Sequence, residues 1–371
     1  MVEEKKTKIM TIFGTRPEAI KMSPLIKLLE ANSSFNSIVV VTGQHRSQLD
    51  QVLEIFNIKP NYDLNIMKQN QTIESITTSI LQSLDNIINI ETPDFILVHG
   101  DTTTSFAAAL AAFYKKVPVG HVEAGLRTYD KYSPFPEEMN RKLISSLADI
   151  HFAPTELSKE NLILENIKKE NIFVTGNTAL DTFSYTLEKN YKFKSPILLD
   201  NCKKTILLTA HRRENLGKPL ENICRAVLEI LEQFEDLHFV IPMHLNPKVR
   251  EVILKYLSNN KNITLTEPLD LLDMHNLLKN CYLCITDSGG LQEEAPHLNI
   301  PVIVLREVTE RPEGIDKTLV LAGTDFTNIV SKIRELLLNK ALYEKISKAP
   351  NPFGDGKASE RILEVLRNET K

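Results

Sequence analysis

The stretch VPVGHVEAGLRT, residues 117–128, starts as an apolar run and ends in charged side chains. Strands that are buried on both faces of a parallel sheet read as continuous apolar runs, so residues 117–122 predict such a strand. We expect His121 and Glu123 to share one face of the strand, with Arg127 just beyond it. Because ligands bind beyond the carboxyl ends of parallel strands, the stretch predicts a parallel sheet and a site at its edge.

Apolar runs of the same kind recur along the chain and alternate with longer amphipathic segments. This alternation is typical of parallel sheets with helical crossovers. The predicted strands of the first half lie at 8–13, 37–42, 94–99, 117–122, 149–153 and 171–176, and those of the second half at 204–209, 237–242, 262–266, 281–286, 301–305 and 318–322. The fold class is therefore α/β, with two doubly wound, Rossmann-like domains that we expect to face each other across a cleft.

A polar stretch between the two sets of strands, residues 187–204, predicts the domain boundary. A chain of 371 residues is long enough for two separate cores. We therefore place an N-terminal domain at 1–185 and a C-terminal domain at 186–354. The tail of the chain predicts a capped helix, and we expect residues 355–371 to join the N-terminal domain.

The composition disfavours several classes of partner. Apolar residues make up 42% and charged residues 25% of the sequence, which is ordinary for a globular protein. A net charge of -4 gives no sign of a surface for nucleic acid or for a membrane. The segment MVEEKKTKIM lacks an apolar signal sequence, and no run approaches the roughly 18 apolar residues of a membrane span. We expect a cytoplasmic protein with neither nucleic-acid nor membrane partners.

The four cysteines agree with a reducing compartment. Cys281 and Cys284 form a C-x-x-C pair inside a predicted strand, where the odd spacing would send the two side chains to opposite faces. Buried structural thiols are therefore favoured over a redox or zinc pair, because the sequence holds no second C-x-x-C to complete a zinc site. We predict no metal.

Polar and cationic side chains follow most of the predicted strands. If the strands are parallel, their carboxyl ends lie at one edge of each sheet, and these side chains would converge. The residues concerned are Gly14, Arg16, Lys21, Gly43, Gln44, His45, Asp101, Glu123 and Arg127 in the first half and His211, Arg212, Arg213, His244, Ser288, Gly289 and Gly290 in the second.

One strand–turn–helix segment, CITDSGGLQEEAP at 284–296, has the outline of a phosphate site. The free N–H groups of a helix start favour phosphate, and Gly289 and Gly290 would allow close approach to the backbone. A glycine turn in which Glu293 and Glu294 merely complement the helix dipole is an equally good interpretation of this motif alone.

A second segment, FGTRPEAIKM at 13–22, has the same outline but lacks G-x-G-x-x-G. A bound nicotinamide cofactor therefore has little support, and we predict no cofactor. Taken alone, Arg16 is more often a solvated side chain than a phosphate ligand. Because we expect Lys21 and His211 near it, the interpretation of Arg16 as a phosphate ligand is favoured.

Carboxylates at strand ends are the unusual feature of the sequence. Asp101 is explained equally well as the N-cap of the helix that follows it. Glu123 has no such alternative, and partial burial would raise its pKa and make it a usable base near neutral pH. Glu137 and Glu138 follow two prolines, and their alternative is again a helix N-terminus. Carboxylates beside a cationic site indicate chemistry that moves a proton and a phosphate-bearing leaving group.

The motifs together resemble those of one family, the non-hydrolysing UDP-N-acetylglucosamine 2-epimerases. They occur in the family's order from about residue 8 to the final helix, as GTRPEAIKM, TGQHR, HGDTTT, HVEAGLRT, SPFPEEMNR, GNT, TAHRREN, TDSGGLQEEAP and TERPEG. The resemblance implies the GT-B fold and the interconversion of UDP-N-acetylglucosamine (UDP-GlcNAc) and UDP-N-acetylmannosamine (UDP-ManNAc) for cell-surface polysaccharide synthesis. It implies elimination of UDP to 2-acetamidoglucal and its re-addition, without metal or nicotinamide.

The resemblance also assigns roles by motif position. It implies Asp101, Glu123, Glu137, His211 and Lys21 as catalytic residues, with Glu123 the foremost candidate for proton transfer at C2. It implies Arg16, His211, Ser288, Gly289, Gly290, Glu294, Arg306 and Arg311 as ligands of UDP, with Glu294 on the ribose.

Some bacterial members of the family bind a second UDP-GlcNAc as an activator. The resemblance implies that Gln44, Gln71 and His244 form that site here. Those members usually carry an arginine where this chain has Asn70, which leaves the strength of activation open. The resemblance further implies a homodimer.

Three other functions compete with this interpretation. A glycosyltransferase of the same fold would need an acceptor groove and would not need three carboxylates at these positions. A hydrolysing epimerase would release free N-acetylmannosamine and UDP. A sensor of UDP-sugars without catalysis is disfavoured because Asp101, Glu123 and His211 are all retained.

Overall fold

The structure is a computed structural model that describes residues 6–43, 46–67, 71–197, 199 and 202–369. Within it the chain forms two compact units. The first unit consists of Met1–Tyr185 and Phe353–Lys371, and the second of Thr186–Pro352. Each unit is built around its own parallel sheet.

The sheet of the first unit contains seven parallel strands in the order β3-β2-β1-β4-β5-β6-β7. They are β1 (Thr7–Phe13), β2 (Phe35–Val41), β3 (Tyr62–Asp63), β4 (Phe95–His99), β5 (Val119–Val122), β6 (Ile150–Ala153) and β7 (Ile172–Val174). The six strands predicted from the sequence are all present. The seventh, β3, was not predicted because two partly exposed residues form no apolar run.

Helices cross between these strands. They are α1 (Arg16–Ala31), α2 (Arg46–Ile55), α3 (Ile73–Glu91), α4 (Thr103–Tyr114), α5 (Glu137–Leu147), α6 (Glu156–Leu164) and α7 (Phe183–Thr186). The buried face of α3 repeats at helical spacing through Ile76, Ile80 and Leu84. Five buried alanines let α4 pack closely against its neighbours α3 and α5.

The second unit has six parallel strands in the order β10-β9-β8-β11-β12-β13. They are β8 (Lys204–Thr209), β9 (Leu237–Pro242), β10 (Ile263–Thr266), β11 (Leu283–Thr286), β12 (Val302–Val304) and β13 (Leu319–Leu321). The crossover helices are α8 (Lys218–Gln233), α9 (Pro247–Leu257), α10 (Leu271–Lys279), α11 (Gly289–His297), α12 (Phe326–Leu338) and α13 (Lys340–Ser347). All six predicted strands are present, which confirms two doubly wound α/β units.

The terminal helix α14 (Ala358–Glu369) belongs to the first unit. Its first N–H groups are satisfied by a residue distant in sequence: the Asp181 carboxylate accepts hydrogen bonds from the backbone of Ala358 at 3.1 Å and Ser359 at 2.5 Å. Burial raises the pKa of Asp181, while these hydrogen bonds oppose the rise. No helix within the described ranges is long and apolar enough to cross a membrane.

The two cysteines of the C-x-x-C pair are buried free thiols, and burial raises the pKa of both. The structural interpretation is confirmed, but its argument from opposite strand faces is wrong, because β11 begins only at Leu283 and Cys281 precedes it. In the part of the chain that the structure describes, no group of three or more His, Cys, Asp or Glu side chains could hold a metal ion.

Each sheet reverses its strand order beside its first strand, between β1 and β4 and between β8 and β11. Such a reversal opens a crevice at the carboxyl ends of the two strands, where open α/β sheets bind ligands. Residues that the sequence singles out follow each of these four strands: Gly14 after β1, Asp101 after β4, His211 after β8 and Ser288 after β11.

Candidate functional site

Glu123 is the residue directly after β5, and its backbone is left-handed, with φ of 62°. A residue with a β-carbon rarely adopts this conformation, which costs about 1–3 kcal/mol and is concentrated at functional sites. The prediction that Glu123 and His121 share a strand face is wrong, because the strand ends at Val122 and the chain turns there.

The Glu123 carboxylate meets groups from three other segments of the first unit. Its Oε2 forms an ion pair with Lys21 Nζ and accepts a hydrogen bond from Asn177 Nδ2 at 3.1 Å. His99 Nε2 lies 3.9 Å from the same oxygen. The Lys21 and Glu123 side chains are only 16% and 10% exposed, so the pair is largely shielded from water. Sequence analysis did not single out His99 or Asn177.

Three buried histidines occupy neighbouring strands of this sheet, His99 on β4, His121 on β5 and His151 on β6. Burial lowers their pKa values to about 4, 3 and 4, respectively, so they are neutral at pH 7. His121 Nε2 is 2.7 Å from the carbonyl oxygen of Gly100. His121 therefore holds the loop after β4 in place and does not face a ligand.

Arg127 also points away from the strand ends. Its fully buried guanidinium donates to both oxygens of Glu165, at 2.9 and 2.7 Å, and to Ser145 Oγ at 3.0 Å. The prediction that Arg127 converges on the site is wrong. Of His121, Glu123 and Arg127, Glu123 alone contacts Lys21.

Asp101 lies in the loop after β4 and is not a helix cap. The N-cap of α4 is Thr102, whose hydroxyl accepts a hydrogen bond from Ser105 N, so that alternative is wrong. The Asp101 carboxylate is held by Arg141, with Nε and Nη2 at 2.8 and 2.6 Å. Burial opposes the charge of Arg141, but Asp101, Glu138 and Glu123 prevail and raise its pKa.

Glu137 and Glu138 begin α5, as their helix-start alternative predicts. Glu138 is fully buried and accepts hydrogen bonds from the backbone of Thr128 and Tyr129, each at 3.1 Å. Glu137 is half-buried, and no hydrogen bond or ion pair within the described residues holds its carboxylate. Glu138 therefore stabilises the loop before α5, whereas the Glu137 carboxylate is not held in this way.

The start of α1 is fixed by Glu18, a buried residue that sequence analysis missed. Its Oε2 accepts hydrogen bonds from the backbone of Gly14 and Thr15, at 3.0 and 2.7 Å. Its Oε1 accepts from the hydroxyls of Thr102 and Ser105 at the start of α4, at 2.6 and 2.9 Å. Burial raises its pKa, and these bonds oppose the rise. Glu18 thereby links the start of α1, which carries Arg16, to the start of α4, which follows Asp101.

In the second unit, the start of α11 lies beside a cation. Ser288 is the N-cap, and the Arg311 guanidinium carbon is 3.4 Å from the point that a β-carbon on Gly289 would occupy. Arg311 Nε donates to Glu293 Oε1 at 2.6 Å. Glu293 and Glu294 lie beyond the first turn, so the interpretation that they complement the helix dipole is wrong.

His211 follows β8, and its half-exposed ring stacks on the exposed ring of His244, with 5.1 Å between centroids and 7° between planes. Its Nδ1 lies 3.3 Å from Oδ1 of the buried Asp287, the residue before Ser288. Burial lowers the pKa of His211, and the Asp287 charge opposes this shift. The structure thus brings His211, His244 and the α11 start together.

Other candidate residues lie in both units or outside the described residues. Arg306 Nε donates to Glu214 at 2.8 Å, and Glu294 Oε2 lies 3.9 Å from the buried His275, both within the second unit. Gln71 in the first unit donates to the carbonyl of Ile66. Gln44, His45 and Asn70 lie outside the described residues.

Two doubly wound units with polar clusters at the carboxyl ends of their strands belong to the class of α/β proteins that bind ligands at those ends. The family model described as UDP-N-acetylglucosamine 2-epimerase matches residues 27–367. The chain belongs to this family, whose members are isomerases, and the resemblance inferred from the motifs is confirmed.

Individual relatives agree with the family model. The UDP-N-acetylglucosamine 2-epimerase of Bacillus subtilis is 54% identical over 365 residues, which cover 98% of this chain and 95% of that protein. The crystal structure of UDP-GlcNAc 2-epimerase from Neisseria meningitidis bound to UDP-GlcNAc is 48% identical, with a TM-score of 0.87 over 98% of this chain and 100% of that one. A glycotransferase of kitacinnamycin, at 10% identity and a TM-score of 0.70, shares the fold alone.

Proposed function

We propose that this protein is a non-hydrolysing epimerase that interconverts UDP-GlcNAc and UDP-ManNAc. The observation that carries the proposal is the Glu123 carboxylate, held by Lys21 in a shielded, strained position at the carboxyl end of β5. The name of the Bacillus subtilis relative and the ligand of the Neisseria meningitidis structure support the choice of substrate.

The chemistry of the sugar determines what the site must do. C2 of UDP-GlcNAc is not next to a carbonyl, so simple enolisation cannot acidify its proton. Epimerisation therefore proceeds by loss of the C2 proton and breakage of the C1–O bond to UDP, which gives 2-acetamidoglucal. UDP then re-forms its bond to C1, and a proton is delivered to the opposite face of C2. This sequence needs acid/base groups on both faces of the ring.

We assign the proton chemistry to the first unit. Glu123 takes the C2 proton, and Lys21 keeps it ionised beforehand by direct charge pairing. Asp101 and Glu137 are the candidates for the opposite face. Arg141 holds Asp101 in position as a carboxylate, whereas Glu137 lies at a helix start without such a partner among the described residues.

We assign UDP binding chiefly to the second unit. The N–H groups at the start of α11 and the nearby Arg311 are suited to the diphosphate, whose charge rises as the C1–O bond breaks. The residues assigned to UDP are Arg16, His211, Ser288, Gly289, Gly290, Glu294, Arg306 and Arg311. Glu294 would accept hydrogen bonds from the ribose hydroxyls.

We also propose where the enzyme acts, its oligomeric state and its activator. It acts as a cytoplasmic homodimer without a metal or organic cofactor and supplies polysaccharide synthesis. A second UDP-GlcNAc, bound by Gln44, Gln71 and His244, activates it. The stacking of His244 on His211 supports a link between this second site and the residues assigned to UDP.

Identification of the products tests this function against its competitors. Purified protein is incubated with UDP-GlcNAc and followed by proton and phosphorus NMR. A mixture of UDP-GlcNAc and UDP-ManNAc is expected, reached also from pure UDP-ManNAc. Free N-acetylmannosamine with UDP would indicate a hydrolysing enzyme, and tight UDP binding without turnover would indicate a sensor. Consumption of UDP-GlcNAc only in the presence of an acceptor sugar would indicate a glycosyltransferase.

A further inference from the structure

Asp287 is a fully buried carboxylate between β11 and α11 in the second unit. Its Oδ2 accepts three hydrogen bonds, from the backbone N–H groups of His211 and Arg212, at 2.7 and 2.8 Å, and from Asn215 Nδ2 at 2.9 Å. Its own N–H donates to the carbonyl of Thr209 at 3.2 Å. One side chain therefore joins the loop after β8 to the start of α11.

The other carboxylate oxygen of Asp287, Oδ1, has different surroundings. Oδ1 is buried and has no hydrogen-bond partner within the described residues, although such an oxygen is costly to leave unsatisfied. The polar atom in front of it is His211 Nδ1, 3.3 Å away. A small rotation of the imidazole would bring an N–H on Nδ1 into a hydrogen bond with Oδ1. Such a hydrogen bond would place the ring proton on Nδ1, because a carboxylate can only accept.

We propose that Asp287 is a positioning residue that holds His211 with its proton on Nδ1 and leaves Nε2 directed at the diphosphate. The inference rests on the proposed function, which assigns His211 to that ligand. Bound diphosphate favours uptake of a second proton from solvent on Nε2, and the Nε2–H of this imidazolium donates a hydrogen bond to the departing UDP as the C1–O bond breaks. The fully buried Asp287 carboxylate then stabilises the imidazolium from behind the half-exposed ring.

The charges around His211 are consistent with this role. His244 stacks on one face of the ring and Arg212 is its chain neighbour, and both disfavour a positive imidazole. Burial acts in the same direction. Asp287 is the one group among those that influence His211 that favours the charged ring. Removal of its charge therefore leaves all remaining influences opposed to protonation.

Asp287→Asn tests the proposal with little change of shape. The amide oxygen can keep accepting the three hydrogen bonds made by Oδ2, while the amide NH2 faces His211 Nδ1 and forces the proton onto Nε2. We expect kcat to fall at least about 100-fold with KM changed little, by analogy with the carboxylate that orients the histidine of a serine protease. The alkaline limb of the pH profile of kcat should move to lower pH.

Two comparisons separate positioning from a structural role. In the background of His211→Asn, Asp287→Asn should cause no further loss, because the two residues act as a unit. Asn215→Ser loosens the same loop without touching Oδ1 and should leave the pH profile in place. Additive losses in the double variant, or a pH shift in Asn215→Ser equal to that in Asp287→Asn, would overturn the proposal.

A measurement on the unaltered protein covers the case in which Asp287→Asn does not fold. Nitrogen-15 NMR of the histidine rings, with His211 assigned by its loss in His211→Asn, reports the tautomer directly. We expect the proton on Nδ1 in the unliganded protein at pH 8. A proton on Nε2 would overturn the proposal whether or not the protein is an epimerase, while absence of epimerisation with the expected tautomer would overturn only the function.

Discussion

The two units place their sites at the same point of the same kind of sheet but reverse the roles of the charges. In the first unit the candidate reacting groups are carboxylates, and cations hold them; in the second they are cations and a histidine, and carboxylates hold them. The pairs are Glu123 with Lys21 and Asp101 with Arg141, against Arg311 with Glu293, Arg306 with Glu214 and His211 with Asp287. The strand order fixes where a site lies, and the side chains after the strands decide its chemistry.

This reversal fits a division of labour within one reaction. A carboxyl group must be ionised before it accepts a proton, and a nearby cation keeps it so. Groups that receive a departing diphosphate must be cationic or able to become so, and a carboxylate behind them favours that state. Under the proposed function, each unit prepares its groups for one half of the elimination, and substitutions in the two units should have separable effects.

The largest separation is expected from Glu123→Gln in the first unit. The amide keeps the size of the side chain but cannot take a proton, so turnover should fall by about 10²–10⁴-fold. UDP affinity, measured by calorimetry, should change less than about twofold. Glu30→Gln makes the same chemical change on the exposed end of α1, where Glu30 pairs with Lys27, and should leave both quantities unchanged. Unchanged turnover in Glu123→Gln would contradict the division.

Lys21→Met should destabilise the protein because it leaves the Glu123 carboxylate without its shielded counter-charge. We expect the free energy of unfolding in urea to fall by on the order of 3 kcal/mol. Lys27→Met removes the cation of the exposed pair on the same helix and should cost less than about 1 kcal/mol. Addition of Glu123→Gln to Lys21→Met should recover part of the loss; further destabilisation would contradict the pairing.

In the second unit, Arg311→Lys should weaken UDP binding by about tenfold, because an ammonium cannot reproduce the planar, two-pronged hydrogen bonding of a guanidinium. Arg250→Lys is the matched control, since Arg250 makes a similar pair with Glu267 on the surface of the same unit. C2 proton exchange at saturating substrate should be affected less than binding. Equal affinities of the two variants for UDP would remove Arg311 from the site.

The first unit is also expected to be sensitive to acid. The pKa values of His99, His121 and His151 fall from 6.5 to about 4, 3 and 4 on folding, so between pH 6.5 and 4 the unfolded chain binds more protons than the folded one. Stability should therefore be full above pH 6.5 and decline as the pH falls toward 4, by at most about 1.4 kcal/mol per pH unit for each histidine.

The matched pair for this effect is His151→Phe and His244→Gln. His151 is buried and should account for part of the slope of unfolding free energy against pH, so its replacement should flatten the slope. His244 is exposed in the second unit, and its replacement leaves the three buried histidines of the first unit unchanged, so the slope should stay steeper than in His151→Phe. Urea titrations at pH 7, 6 and 5 provide the measurement, and equal slopes in both variants would contradict the account.

The sequence predicts the strands far better than it predicts the contacts between their ends. Continuous apolar runs identify twelve of the thirteen strands because central strands of a parallel sheet must be buried on both faces. The two residues of β3 carry no such pattern. The predicted end of β5 at residue 122 is confirmed, but the left-handed turn at Glu123 was not predicted because it depends on tertiary structure.

The supporting residues of the site could not be derived from sequence for a related reason. Glu18, Asn177 and Asp287 all lie inside motifs that identify the family, but their partners are distant in sequence. The opposite error occurred at Arg127. A charged residue after a strand predicts a ligand contact, but the structure pairs Arg127 with Glu165 instead. Pattern and spacing locate a site, and only long-range contacts distinguish the groups that act from those that support them.

The measurement that most directly tests the central claim is proton NMR of the purified protein with UDP-GlcNAc in deuterated water, which follows the signal of the C2 proton. The account predicts that UDP-ManNAc appears with deuterium at C2 and that the recovered UDP-GlcNAc also acquires deuterium there. UDP-ManNAc that retains the original proton at C2 would contradict proton loss to Glu123. So would binding of UDP-GlcNAc without any exchange.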